Sequence, residues 1–391
     1  MHSRLTTSYA LHTITFYVYT HRLVHPLSPR GKLVHWGREG LDATNRLIAE
    51  ACQSLAAGAA DESASSSRIV LRDELYRLAI TDQHVQQLQT TAVNLPDYCE
   101  WKTADELLKG KIVDETANVL GALRLFNGCR VIHVPSYLQG LWIACRERGA
   151  VWKIVDADTS SRSSMAAWKD RLQDFDVVVL AAGSGLFDSS SSGRSSLLLS
   201  KQTELPVQLV RGQSVEIRSP QQRAPSAALL CGKYVSPTPD PNVTLVGATH
   251  EFQAHAATPD TVVTELQERT ADFSPELWKT GQVERRTVGY RVQSERGMNG
   301  RMPIIGQLQS SSSTTTAASK LEGDLQEVHP NMWVFTGLSS RGLLFHGLYG
   351  DILTDAILQN SEEPMLSRCR DLDWWRRRPK KKPTNAREQP L

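Results

Sequence analysis

No run of this sequence reaches the roughly 20 consecutive apolar residues that a membrane-spanning helix needs; its longest apolar stretches, such as 177–182, have the length of a core strand. A soluble protein is expected. Cysteine is sparse and dispersed: Cys52, Cys99, Cys129, Cys145, Cys231 and Cys369 form no C-x-x-C and no His/Cys cluster of metal-ligand spacing. Neither a disulfide scaffold nor a metal site is indicated, and a reduced, cytoplasmic compartment is the simpler reading. Charge of one sign is also missing. Lys+Arg total 44 against Asp+Glu 42, a formal net charge of +2, which supplies no global field for gripping a polyphosphate. No G-x-S-x-G occurs, which removes the serine-hydrolase elbow. Finally, no acidic residue precedes Glu39 and no glycine precedes Gly31. Arg4, Arg22, Arg30, Lys32 and Arg38 therefore stand unopposed, a composition that organelle transit peptides share, whereas the alternation over 13–20 reads as a strand.

What is present is an ordinary globular balance: 391 residues, 40% hydrophobic and 22% charged, enough for two to three domain-sized units. Four Ser-rich tracts, at 63–67, 160–164, 189–200 and 310–319, cannot bury enough apolar surface to offset their ordering and read as loops inserted into a fold. Between them, apolar residues at three- and four-residue spacing predict helices over 40–56, 84–92, 137–148, 261–270 and 347–358. β-rich runs predict strands over 176–182, 207–218, 229–235, 243–248, 287–292 and 333–336. The class is therefore mixed α/β with an antiparallel β-rich middle, which suggests one domain discontinuous in sequence with a second inserted into it. The C-terminal run from Trp374 through Lys382 is a concentrated basic segment, read as a solvated tail or as a nuclear or nucleic-acid signal.

Two segments look suited to a ligand. Asp176-Val-Val-Val-Leu-Ala-Ala-Gly-Ser-Gly185 is a continuous apolar run ending in small residues, the pattern of a fully buried parallel strand that opens onto a bound group. Its Gly183-Ser-Gly185 begins a G-x-G-x-x-G, but Asp188 and the Ser-rich tract break it. Trp333-Val-Phe-Thr-Gly337-Leu-Ser-Ser-Arg-Gly342 leads from a strand through a glycine turn into an apolar helix, whose first backbone N–H groups favour an anionic or carbonyl-bearing ligand. An ordinary strand-to-helix turn reads the same way when it stands alone.

These segments, with a β-rich insert between them, resemble the FAD-dependent oxidoreductases of the D-amino-acid oxidase, glycine oxidase and sarcosine oxidase superfamily. The resemblance spans roughly 20–360. It includes His25-Pro-Leu-Ser-Pro-Arg-Gly-Lys32, Leu205-Pro-Val-Gln-Leu-Val-Arg-Gly-Gln213, Cys231-Gly-Lys-Tyr-Val-Ser-Pro237, Thr244-Leu-Val-Gly-Ala-Thr249, Gly289-Tyr-Arg291 and Arg301-Met-Pro-Ile-Ile-Gly306. The branch it is most similar to holds the oxidase domain of the bacterial tRNA wobble-uridine modifying enzyme and its plant and algal relatives.

The resemblance implies a discontinuous, Rossmann-like FAD-binding domain over 1–60, 125–200 and 325–365, and an inserted antiparallel β-rich substrate domain over 61–124 and 201–308. A Ser/Thr-rich loop at 309–320 and a basic tail at 366–391 complete the division. By the same resemblance Arg291 holds a substrate carboxylate, Tyr234 lines the substrate side of the flavin, and Arg341 also faces the substrate. Ala181, Ala182, Gly183, Gly337, Ser340, Arg341, Gly342 and Leu343 border FAD. The implied partner is a small amine or amino acid. A tRNA substrate and a non-catalytic, truncated remnant are the alternatives. Against the family pattern, the residues ahead of His25 contain neither the glycines nor the acid of a dinucleotide fingerprint. The expectation is a chain that has lost the central strand of its flavin domain and keeps the residues around the ring.

Overall fold

The computed structural model describes residues 23–58, 68–153, 172–187, 205–219, 226–252, 257–297, 299–308, 329 and 331–376. The four Ser-rich tracts, the alternation at 13–20 and the basic run beyond Arg376 lie outside these described residues.

In chain order the strands begin with β1 (Leu23–Val24), β2 (Val70–Arg72), β3 (Leu75–Ala79), β4 (Cys99–Thr103), β5 (Gly121–Leu125), β6 (Arg130–Ile132) and β7 (Val178–Leu180). The middle of the chain gives β8 (Val207–Arg218), β9 (Ala228–Cys231), β10 (Lys233–Pro237), β11 (Val243–Gly247) and β12 (Gln282–Ser294). Then come the small hairpin β13 (Arg296–Gly297) and β14 (Gly300–Arg301), β15 (Ile304–Gln307) and β16 (Met332–Thr336). The helices are α1 (Gly37–Gly58), α2 (Asp82–Asn94), α3 (Ala104–Lys109), α4 (Val134–Glu147), α5 (Pro259–Thr270), α6 (Pro275–Thr280), α7 (Gly342–Leu358) and α8 (Glu363–Arg368).

Helix starts follow local chemistry. Thr81 and Thr258 cap α2 and α5 through their hydroxyls, and Thr103 with Glu106 closes a reciprocal capping box on α3, which satisfies amide donors left open at a helix start.

One large sheet runs β12-β8-β11-β10-β9-β3-β5-β4. It is antiparallel except where β3 meets β9 in parallel. Strands from 75–125 thus join strands from 207–294. The two expected strands at 207–218 and 243–248 form as β8 and β11, while β12 extends well beyond the expected 287–292 and pairs with β8 from Gln282↔Arg218 to Ser294↔Val207. The run expected as one strand at 229–235 is instead a tight hairpin, because Gly232 takes a φ of +69° and folds β9 back against β10; a left-handed residue of this kind suits glycine.

Period-two alternation divides the sheet between two cores. Tyr76 and Leu78 of β3 join Val215, Ile217, Val235 and Val246 beneath Val262, Leu266 and Leu277 of α5 and α6. Leu75 and Ala79, on the other face of β3, belong to a second core with α1, α4, α7 and the small sheet β1-β6-β2. There α1 is clasped between α4 and α7. At Gly140 of α4 a Cβ would lie 2.4 Å from the Ala51 carbonyl oxygen, so the close approach of α4 to α1 depends on glycine.

The third sheet, β15-β16-β7, carries the parallel pair expected from the sequence, with Leu180 opposite Val334. Its burial corrects the expectation. The run 176–182 is not fully buried: Val178 is covered, but Val179 is 41% exposed and Ala181 is exposed. β7 is an edge strand on which, among the described residues, no further strand pairs. Gly183 opens a 3-10 turn, Gly183–Leu186, with no long helix behind it in the described residues.

The segment 366–376, grouped by sequence with a basic tail, packs onto the body. The indoles of Trp374 and Trp375 donate to the carbonyls of Pro303 and Ile305, and Arg376 forms a two-point ion pair with Glu362 at 2.5 and 2.6 Å.

Candidate active site

Three stretches far apart in sequence converge on one cavity of about 550 Å³. The loop after β1 supplies His25, Leu27 and Pro29; the β9–β10 hairpin supplies Cys231, Lys233 and Tyr234; and the turn into α7 supplies Ser340, Arg341, Leu343 and Leu344. Arg77 and Leu78 of β3 and His84 of α2 close it. Sheet pairing fixes the hairpin, and the Gly337 turn, at φ +75°, swings the chain from β16 into α7. Thr44 of α1 holds the start of α7 by donating to the carbonyls of Leu343 and Leu344 at 2.9 and 3.0 Å.

Tyr234 lines the cavity. Its hydroxyl lies 3.0 Å from the Ser214 hydroxyl, in room that Gly247 provides: a Cβ at 247 would come within 2.6 Å of the Tyr234 oxygen. Arg291, on β12, does not itself line the cavity but stands near Tyr234. Gly212 on β8 makes space for it, since a Cβ there would sit 3.0 Å from an Arg291 terminal nitrogen. Among the described residues the guanidinium reaches only the Thr249 carbonyl, at 3.5 Å, and its Nε is buried without a partner. Burial pushes its pKa below the ordinary arginine value, with Tyr234 opposing the shift. Glu251, close by in sequence to Thr249, is committed to Gln213, Thr249 and Arg211. A buried cation without an acid is the arrangement expected of a site that receives a carboxylate.

Arg341 and Leu343 also line the cavity, with Ser340 beside them. Arg341 donates to the Leu27 carbonyl at 3.3 Å, and burial lowers its pKa. Gly337 and Gly342 lie in the same turn. Ala181, Ala182 and Gly183 do not line this cavity; they follow β7, beside the C-terminal end of β16.

Three basic residues of this region were not anticipated from sequence. Arg77 falls on the face of β3 that it shares with the buried Leu75 and Ala79, a position that only the pairing of the strand reveals. Lys233 donates to Glu265 at 2.6 Å and to the Ala248 carbonyl at 2.8 Å. Burial, with Arg291, Lys233 and Arg301 nearby, holds the His250 imidazole below the usual histidine range.

A family profile described as FAD dependent oxidoreductase, DAO, matches residues 19–356. The chain belongs to this family. No curated protein matches it significantly in sequence. Among solved structures, glycine oxidase from Bacillus cereus ATCC 14579 aligns with a TM-score of 0.60 at 15% identity, covering 90% of this chain and 87% of that one. Iminodiacetate oxidase from Chelativorans sp. BNC1 aligns with a TM-score of 0.57 at 15% identity, over 87% and 85%. Glycine oxidase from Geobacillus kaustophilus gives 0.52 at 20% identity, over 81% and 80%. At these identities the structures establish a shared fold, the Rossmann-like FAD-binding architecture expected for the chain.

FAD is the cofactor of this oxidoreductase family, and the residues around the cavity fit its ring end. The start of α7 presents backbone N–H groups beside the half-buried Arg341, next to a partly open cavity with apolar walls from Leu27, Leu230 and Leu343. Those groups suit a ring system that gains negative charge on reduction. The pyrophosphate end is different: the sequence contains no G-x-G-x-x-G, and among the described residues no glycine-rich strand-to-helix turn supplies that cradle. Among the described residues there is also no metal-ligating cluster and no helix long and apolar enough to cross a membrane.

Proposed function

We propose that this FAD-dependent oxidoreductase oxidises the CH–NH bond of an amino acid or N-substituted glycine to an imine, which water then hydrolyses. FAD supplies, when bound, the two-electron acceptor for that oxidation. Arg291 binds the substrate carboxylate, and Tyr234 forms the wall that orients the carbon beside the amine. Gly337, Ser340, Arg341, Gly342 and Leu343 border the ring end of the flavin, with the Arg341 guanidinium turned to the substrate side, and Ala181, Ala182 and Gly183 border the FAD from the end of β7. Positioning carries much of the rate in such a site, because a guanidinium that grips a carboxylate in two places also fixes the adjoining carbon. The observation that carries this reading is the convergence of Tyr234, Arg341 and Leu343 on one cavity with an acid-free, buried Arg291 alongside. The names of the structural neighbours, oxidases of glycine and iminodiacetate, are consistent with an amine bearing a carboxylate. A tRNA substrate draws less support, because Arg376, the first described cation of the C-terminal basic run, is already taken by Glu362.

The test is the absorption spectrum of the purified 391-residue chain with and without added FAD. Bound flavin bands near about 375 and 450 nm, bleached without oxygen by sarcosine (N-methylglycine), are expected. A chain that stays colourless after FAD addition and dialysis, or a bound flavin that no carboxylate-bearing amine bleaches, would sink the proposal.

A further inference from the structure

We propose that Arg77 and Arg341 form a second carboxylate subsite in the cavity, so that the preferred substrates are amines carrying two carboxylates rather than one. The inference rests on the amine-oxidation reading above and adds the substrate class to it.

The argument begins with β3. Its burial alternates across two cores, and Arg77 falls on the face shared by Leu75 and Ala79, both fully buried. An unanswered cation at such a position costs stability unless something compensates it. The protein supplies little: one Arg77 terminal nitrogen donates to the Pro29 carbonyl at 3.3 Å, and the Nε is buried with no partner. The half-buried side chain lines the cavity.

The second guanidinium makes the case stronger. Arg341 lies near enough to depress Arg77 further, and burial together with that like charge brings Arg77 down to about 10. Among the described residues Arg341, too, meets only a carbonyl, that of Leu27. The described residues that line the cavity include no Asp and no Glu, while His25, Arg77, His84, Lys233, Arg269 and Arg341 all contribute to it. Lys233 is answered from outside the lining by Glu265, so it does not account for the surplus. A second polar atom points the same way: Nδ1 of His84 is buried without a partner on the same wall.

Two half-buried guanidiniums that line the same cavity repel each other where water is partly excluded, and a carboxylate received between them converts that repulsion into paired, charge-assisted hydrogen bonds. Arg291 stands apart from this pair, near Tyr234 and outside the lining. One carboxylate for each place calls for a substrate with acids on both sides of its amine, or an amino acid with an acidic side chain.

The test is calorimetric titration of the full chain, with and without FAD, using iminodiacetate as the two-carboxylate probe and sarcosine as the one-carboxylate probe. The wild-type chain is expected to bind iminodiacetate about 10- to 100-fold more tightly, the range that one charge-assisted contact provides. In Arg77→Gln the ratio of the two affinities falls to within about threefold, while Arg77→Lys keeps part of it, as a point charge would. Thermal melting of both variants establishes that they fold, and the lysine variant preserves the test if the glutamine variant does not. A wild-type ratio near one overturns the subsite, as does a ratio unchanged in Arg77→Gln. Loss of FAD affinity in Arg77→Gln with the ratio intact overturns it too, since Arg77 then serves the flavin. A strong preference for iminodiacetate in a chain that oxidises neither probe supports the subsite and refutes the oxidase reading, so the two failures are distinct.

Discussion

At the scale of single residues, the site depends on how little answers its arginines. Arg291 is held by space rather than by bonds: Gly212 leaves it room, and its one recorded contact is a long one to the Thr249 carbonyl. Replacing it removes the proposed carboxylate anchor without removing a structural partner. Arg291→Met is therefore expected to raise KM for sarcosine about 10- to 100-fold with a smaller change in kcat, measured by steady-state oxidation in the FAD-loaded enzyme. Gly212→Val should move KM the same way by a smaller factor, because a side chain there meets the far end of a flexible arginine that can shift aside. Unchanged KM in Arg291→Met would remove this residue from the substrate's binding site. Arg291 and Tyr234 were legible in the sequence because each sits in a motif with a recognisable order. Arg77 was not, because a single arginine between Tyr76 and Leu78 acquires meaning only when the pairing of β3 shows which face it occupies.

Among the elements, the start of α7 is fixed by contacts from α1 and α4. The His346 ring joins two of these helices. Its Nδ1 is 3.1 Å from the Gly342 carbonyl, so that nitrogen carries the proton, and Nε2 then accepts from the Tyr137 hydroxyl at 2.7 Å. Burial holds the His346 pKa below its usual value. A group of this kind binds its proton more readily in the unfolded chain, so its contribution to stability is complete above about pH 6.5 and is lost as pH falls from there through the lower folded value. Melting temperature should fall over that window more steeply in the wild type than in His346→Gln, whose side chain does not titrate; equal slopes would exclude His346 as the cause. Tyr137→Phe, which leaves Nε2 unpaired, should cost about 1–3 kcal/mol in urea unfolding at pH 7.5. The helices themselves were legible, since 3.6-residue apolar spacing persists through α1, α4 and α7. The strands β3, β4 and β5 were not. They are five residues each, and in Cys99–Thr103 polar side chains interrupt the apolar pattern, so their pairing, rather than their composition, defines them.

Across the whole molecule, the chain after α7 returns to brace the sheet that leads into the Gly337 turn. Glu362 is 9% exposed at its side chain and accepts from the Gln307 amide at 2.6 Å while gripping both terminal nitrogens of Arg376. Arg376 in turn donates to the Gln307 carbonyl and stacks over Trp375 at 4.4 Å. Sequence composition sees in 374–382 only a run of charge and aromatics; the acid that answers Arg376 lies 14 residues upstream and is visible only in three dimensions. This clasp binds the C-terminal segment to β15, which pairs with β16, and β16 ends at Thr336, just before Gly337 turns the chain toward Arg341. Glu362→Gln keeps the shape but leaves Arg376 half-buried without its counter-charge. The expected cost is about 1–3 kcal/mol, below that of a fully buried pair because Arg376 keeps some water contact. If the clasp also sets the turn, the same variant should weaken FAD binding in an equilibrium titration, whereas Arg46→Ala, which breaks only the exposed pair with Asp351, should change neither quantity. A Glu362→Gln chain as stable as the wild type would mean that β15 and β16 are held by their own ladder and the C-terminal segment merely rests on them.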